Sequence, residues 1–246
     1  MPILPAVNAP RKAKIIMDIP QNPFEAIEIE TADAPAWSVI WLHGLGADGG
    51  DFAPIVPALG IPKDQAVRFL FPHAPYRRVT CNGGYEMRAW YDILAMYPDR
   101  REIDLPSLDE AIAGVHALIA REIGRGVAVD RIFLAGFSQG GAVAYAAGLS
   151  HAAPLAGIIA LSTYLPAVEA LALRHQPASL AVPLLVGHGD EDDVVSPALG
   201  LAAHDWLQAK GHDVTWRTFT MAHEVCISEV RWLGAWLRER MAAIAA

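Results

Sequence analysis

The sequence predicts an α/β fold with a mostly parallel central sheet and helices on both faces, and three observations predict it. Short apolar runs alternate with helical patterns along the chain, as layered strand-helix units require. No Asp, Glu, Lys or Arg occurs between Ile132 and Val168. There "RIFLAGFS", "GGAVAYAAGLS" and "LAGIIALS" read as a strand, a helix and a strand at the buried centre of a parallel sheet. Hydrophobic residues make up 53% of the 246 residues and charged residues 19%, which suits a large core and argues against disorder.

Residues 1 to about 20 are rich in proline and lack periodicity, so a loosely held arm is expected there. Residues 21–246 carry no repeat, low-complexity tract or linker, which predicts one domain. "FEAIEIE" alternates apolar and charged residues, the pattern of a half-exposed edge strand. "WSVIWLH" is a buried strand running into the glycine-rich "GLGADGG", and "AVRFLFP" is a short strand stopped by Pro72. Residues 72 to 106 form a long, aromatic-rich irregular stretch, a length that in a compact domain points to function or to hidden structure. "SLDEAIAGVHALIAREI" has helical spacing, with Ser107 as expected N-cap and Glu110 placed for a capping box. After the charge-free unit come the strand "VPLLVGHG", the acidic loop "DEDDVV" and a helix from about Pro197 to Lys210. The strand "DVTWRTF" and the helix "EVCISEVRWLGAWLRER" close the chain.

Composition also excludes function classes. A net charge of -8 disfavours nucleic acid or an anionic membrane surface as partner. Glycines and Pro154 cut the charge-free run into short pieces, so no membrane span is expected. Cys81 and Cys226 lie far apart without metal or disulfide spacing and read as reduced packing thiols. The opening residues lack the basic start and apolar run of a signal peptide, so a cytoplasmic location is expected. The oligomeric state, monomer or homodimer, is left open.

"GFSQGG" places Ser138 where a buried strand ends and a helix begins. A serine nucleophile needs such a sharp turn, and Gly136 and Gly140 provide the room it requires on both sides. The helix starting near Gln139 turns free backbone N–H groups and the positive end of its dipole to the same spot. A serine hydroxyl also needs a base, and the base an orienting acid. In chains of this architecture the order is serine, acid, histidine. His223, in the turn "MAHE" after the last strand, fits that order; His188 precedes any acid, and His204 and His212 flank a helix. The acid loop offers Asp190, Glu191, Asp192 and Asp193, and spacing does not choose among them. Asp190 and Asp192 resemble the start of a calcium loop, but its glycine and distal glutamate are missing, so no metal is expected. "HGLGADGG" is a flexible turn suited to a second backbone donor for an oxyanion. It lacks both G-x-G-x-x-G and a Walker lysine, and no cofactor is expected.

Taken together, "WLHGLGADGGDF", "FPHAPYRRVTCNGGYEMRAWYDI", "IFLAGFSQGGAVAYAAG", "LSTYLP", "GHGDEDDVV" and "MAHEV" resemble the small bacterial carboxylesterases of the phospholipase/carboxylesterase family, which includes the acyl-protein thioesterases. The resemblance runs from about residue 36 to the C-terminus. It implies an α/β-hydrolase fold and a Ser138-His223-Asp192 triad that hydrolyses small-molecule carboxylic esters, with Asp190 the second choice of acid and Asp193 the third. It implies oxyanion donors at the N–H groups of Leu45 and Gln139. Trp90 and Tyr164 match positions lining the acyl pocket, with core packing the alternative role for each. Eukaryotic thioesterases more often carry Trp where Tyr164 stands, so acyl length stays open. The alternatives are a thioesterase or lysophospholipase acting on long acyl chains and, in a different class, an inactive hydrolase fold used for binding.

Overall fold

The sheet is built from the apolar runs in the order Ala26–Glu30, Val67–Pro72, Trp37–Leu42, Ile132–Phe137, Gly157–Leu161, Leu184–Gly189, Val214–Phe219. In this computed structural model the described residues are 24–62 and 64–245, and the arm expected over residues 1 to 20 lies outside them. Strands β2 (Trp37–Leu42), β3 (Val67–Pro72), β8 (Ile132–Phe137), β9 (Gly157–Leu161), β10 (Leu184–Gly189) and β11 (Val214–Phe219) are mutually parallel. The alternating segment forms β1 (Ala26–Glu30), which joins the edge antiparallel to β3. Strands β2, β3, β8, β9 and β10 are buried along almost their whole length, because helices cover both faces.

One face packs under α1 (Leu105–Gly124), α2 (Gln139–Ser150), α3 (Val168–Arg174) and α4 (Pro197–Ala209), through residues such as Leu118, Val143, Leu171 and Leu207. The other packs under α5 (Ile227–Ala245) and a 3-10 helix at Ala53–Leu59, through Leu59, Phe133, Trp236 and Leu237. Periodicity had no purchase on the 3-10 helix, which carries two prolines, nor on the seven-residue α3.

The N-cap of α1 is Asp104, not Ser107: the Asp104 carboxylate accepts the Ser107 N–H at 2.9 Å. Pro106 sits in the first turn, where its missing N–H costs nothing, so the helix starts earlier than the apolar pattern does. Ser107 instead ties the helix to the preceding segment, its hydroxyl accepting the Asp92 N–H at 3.0 Å. Glu110 is thereby too far along for a capping box and meets Arg77 at 3.5 Å on the surface. The final helix starts at Ile227, leaving residues 222–226 as a turn. The long stretch 72–106 contains two hairpins, β4 (Tyr76–Val79) with β5 (Tyr85–Arg88), and β6 (Ile93–Met96) with β7 (Arg101–Ile103).

A buried charge network anchors the edge strand. Glu122 of α1 is 0% exposed and accepts from Ser38 Oγ at 2.5 Å and Arg68 at 2.8 Å. Arg68 also pairs with Glu30 of β1, and Arg121 and Arg125 both hold Glu28. Those guanidinium groups outweigh the burial that would raise Glu28, and they keep its carboxyl below the usual range.

Candidate active site

Ser138 occupies the turn between β8 and α2 with φ 53° and ψ -121°, a conformation costly for any residue but glycine. Three contacts hold it there. Its N–H donates to Leu161 O at 2.9 Å, and its carbonyl accepts from Ala142 N at 3.1 Å and Thr163 Oγ1 at 2.6 Å. The flanking glycines are steric necessities. A Cβ on Gly136 would overlap Gly140, and one on Gly140 would overlap the carbonyls of Leu42 and His43. The turn thus lifts the Ser138 side chain above the C-terminal edge of the sheet, where crossing loops converge.

His223 reaches the same point from the turn after β11. Its Nε2 lies 2.9 Å from Ser138 Oγ, and its Nδ1 lies 2.7 Å from Asp192 Oδ2. A carboxylate can only accept, so Nδ1 carries the proton and Nε2 presents a lone pair to the serine hydroxyl. The other Asp192 oxygen accepts the N–H groups of Val194 and Val195, at 2.9 and 2.7 Å. Burial alone would raise the Asp192 carboxyl. The bonds from His223, Val195 and Val194 overcome it and hold the group below its ordinary range. The neighbouring acids are exposed, and the Asp190 carboxylate accepts from Thr220 at 3.4 Å.

His188 backs this arrangement. It is 0% exposed, its Nε2–H donates to Val195 O at 2.8 Å, and that nitrogen lies 3.5 Å from Asp192 Oδ2. Burial lowers its pKa, so it stays neutral beside the acid.

Leu45 and Gln139 border the same cleft as Ser138. Gln139 is the first residue of α2, so its backbone N–H has no acceptor within the helix. Its side chain does separate work: the amide oxygen accepts the Trp90 N–H and the amide nitrogen donates to Tyr91 O, both at 2.8 Å. Trp90 Nε1 donates to His43 O at 2.8 Å. His43 accepts the Ala74 N–H at Nε2 and therefore donates from Nδ1 to Gly44 O at 2.7 Å. Burial pushes His43 down to about 4, so the ring is neutral. The turn after β2, the 90–91 segment and the start of α2 are thereby locked together. The buried polar roles of Gln139, His43 and Thr163 depend on partners distant in sequence and carry no local signal.

The cleft has a volume of about 320 Å³ and is walled by Leu45, Ile93, Met96, Phe137, Tyr164 and Val195, and Ser138 and His223 border it. Tyr164 borders it, and its hydroxyl meets that of Tyr91 at 2.7 Å. Trp90 does not border it: the indole is 0% exposed and packs edge-on to Phe24. A largely apolar cleft bordered by a histidine-bound hydroxyl can take up an uncharged acyl group and present a nucleophile to it.

The sequence model described as phospholipase/carboxylesterase matches residues 24–240. A Neurospora crassa protein named acyl-protein thioesterase 1 is 37% identical over 216 residues, covering 85% of this chain and 88% of the relative. The Arabidopsis thaliana carboxylesterase SOBER1 is 31% identical over 205 residues, covering 82% and 90%. The crystal structure of SOBER1 superposes with a TM-score of 0.79 at 31% identity, over 83% of this chain and 99% of that one. The crystal structure of esterase PE8 gives a TM-score of 0.71 at 27% identity, over 88% and 97%.

Proposed function

The chain belongs to the phospholipase/carboxylesterase family, and from that premise we propose that it is a serine carboxylesterase cleaving small to medium carboxylic esters through an acyl-enzyme. The observation that carries the reading is the continuous relay from Ser138 Oγ through His223 to Asp192, at 2.9 and 2.7 Å. His223 Nε2 takes the hydroxyl proton as Ser138 Oγ attacks the ester carbonyl. The N–H groups of Leu45 and Gln139 stabilise the oxyanion that forms. His223 then gives the proton to the departing alcohol, and water repeats the sequence to release the acid. Asp192 fixes the tautomer and stabilises the imidazolium.

Replacing Ser138 with alanine is expected to lower turnover of p-nitrophenyl butyrate by on the order of a thousandfold or more. Undiminished turnover would overturn the reading, and an inactive wild-type chain would favour the binding-protein alternative. A second reading, thioester or lysophospholipid hydrolysis on long acyl chains, draws support from the relatives named acyl-protein thioesterase 1. A series of p-nitrophenyl esters of rising acyl length, run beside one thioester, separates the two. A cytoplasmic location accords with two free cysteines.

A further inference from the structure

A second cavity of about 410 Å³ adjoins the cleft, between the β6–β7 hairpin, the segment after β9 and α4. Leu165, Val168, Leu199, Ala203 and Trp206 give it an apolar wall. Two residues, Arg101 and Tyr164, border both this cavity and the cleft that holds Ser138. They stand face to face, with the guanidinium carbon 5.7 Å from the ring centre.

We propose that Arg101 and Tyr164 form the partition that ends the acyl site, so that Arg101 sets the length of chain the enzyme accepts. The inference rests on the carboxylesterase reading above. Arg101 is held by main-chain acceptors: Tyr97 O at 2.6 Å, Arg100 O at 3.1 Å and Val194 O at 2.7 Å. The last bond spans from the hairpin to the acid loop, two residues beyond Asp192. Tyr164 is fixed from the opposite side by the 2.7 Å bond to Tyr91. Both halves of the wall are therefore preorganised, and neither can swing aside without giving up a hydrogen bond. A short acyl chain fits on the near side, against Ile93, Met96 and Val195. A longer chain must end against a charged guanidinium, which sheds its contacts with water and carbonyls poorly. Beyond that group Leu199, Ala203 and Trp206 offer further apolar surface, with the charged Asp99, Arg100 and Glu169 bordering the same cavity.

The test is the ratio of kcat/KM for p-nitrophenyl dodecanoate to that for p-nitrophenyl butyrate. Each methylene moved from water into an apolar site is worth about fourfold. Arg101→Ala joins the two spaces and is expected to raise the ratio roughly fifteenfold or more, corresponding to two or three further methylenes buried. Tyr164→Ala opens the same wall from its other half and should raise the ratio too, which keeps the test intact should the hairpin not tolerate Arg101→Ala. Adding Ala202→Trp, on the exposed side of the far cavity, to Arg101→Ala should bring the ratio back. An unmoved ratio in both folded single variants overturns the partition while leaving the esterase reading intact. A gain that Ala202→Trp does not reverse also overturns it, because the added length would lie elsewhere. A wild type inactive on every ester would instead fail the carboxylesterase reading itself.

Discussion

Asp192→Asn changes one atom and is expected to invert the proton bookkeeping of the whole relay. Asp192 Oδ1 accepts two backbone N–H groups, from Val194 and Val195, at 2.9 and 2.7 Å. An asparagine must keep its carbonyl oxygen on those donors, since an amide NH2 there would face two N–H groups. The NH2 then takes the place of Oδ2, 2.7 Å from His223 Nδ1. That nitrogen must become an acceptor, so the ring proton moves to Nε2, which lies 2.9 Å from Ser138 Oγ. A protonated Nε2 cannot receive the serine proton. In the chymotrypsin-type triad the same wrong tautomer lowers kcat by about 10⁴, or about 5.5 kcal/mol of barrier. A loss of that order is expected here, with little change in KM, because the acid does not border the cleft. Steady-state hydrolysis of p-nitrophenyl butyrate measures it, with a thermal melt to confirm folding and exposed Asp193→Asn as control. A folded Asp192→Asn enzyme within tenfold of wild type would refute the tautomer argument.

Gly140→Ala should cost about 3 kcal/mol or prevent folding, because its Cβ meets fixed main-chain carbonyls of Leu42 and His43. A melting temperature unchanged from wild type would show that the turn has slack. Glu229 of α5 is 0% exposed with neither oxygen hydrogen-bonded among the described residues, and burial raises its pKa to about 8 from an ordinary 4.5. The native state keeps a proton that the unfolded chain releases, so this contribution to stability is full below pH 4.5 and fades as pH rises through 8. Urea melts should therefore show wild type losing on the order of a few kcal/mol relative to Glu229→Gln between those limits; parallel curves would contradict it.

The strands and main helices could be read from the sequence because each is set locally. Continuous apolar runs marked β2, β8, β9 and β10, and alternation marked β1 as an edge. Ser138 was legible because its turn needs glycine at 136 and 140, and steric demands of that kind leave their mark in sequence. The choice of Asp192 came from resemblance, since four acidic residues stand together and only their tertiary surroundings differ: Asp192 is 4% exposed while its neighbours face solvent. The two roles open for Trp90, pocket lining and core packing, show the same limit. An aromatic residue in a matching motif looks the same whether it borders a cleft or, as here, donates to His43 O beneath it. The start of α1 was misplaced because Asp104 and Pro106 cap it ahead of the apolar pattern. The role proposed for Arg101 has no signal in the sequence, because its partner Val194 lies far along the chain.

The central claim is that Ser138 Oγ becomes acylated. Treating the intact protein with a fluorophosphonate and mapping the modified peptide by mass spectrometry tests it directly, since only an activated serine displaces the fluoride at useful rates. One adduct per chain is expected, on the peptide containing Ser138 and absent from Ser138→Ala. An adduct that persists in that variant, or a wild type that stays unmodified while hydrolysing ester, would contradict the account.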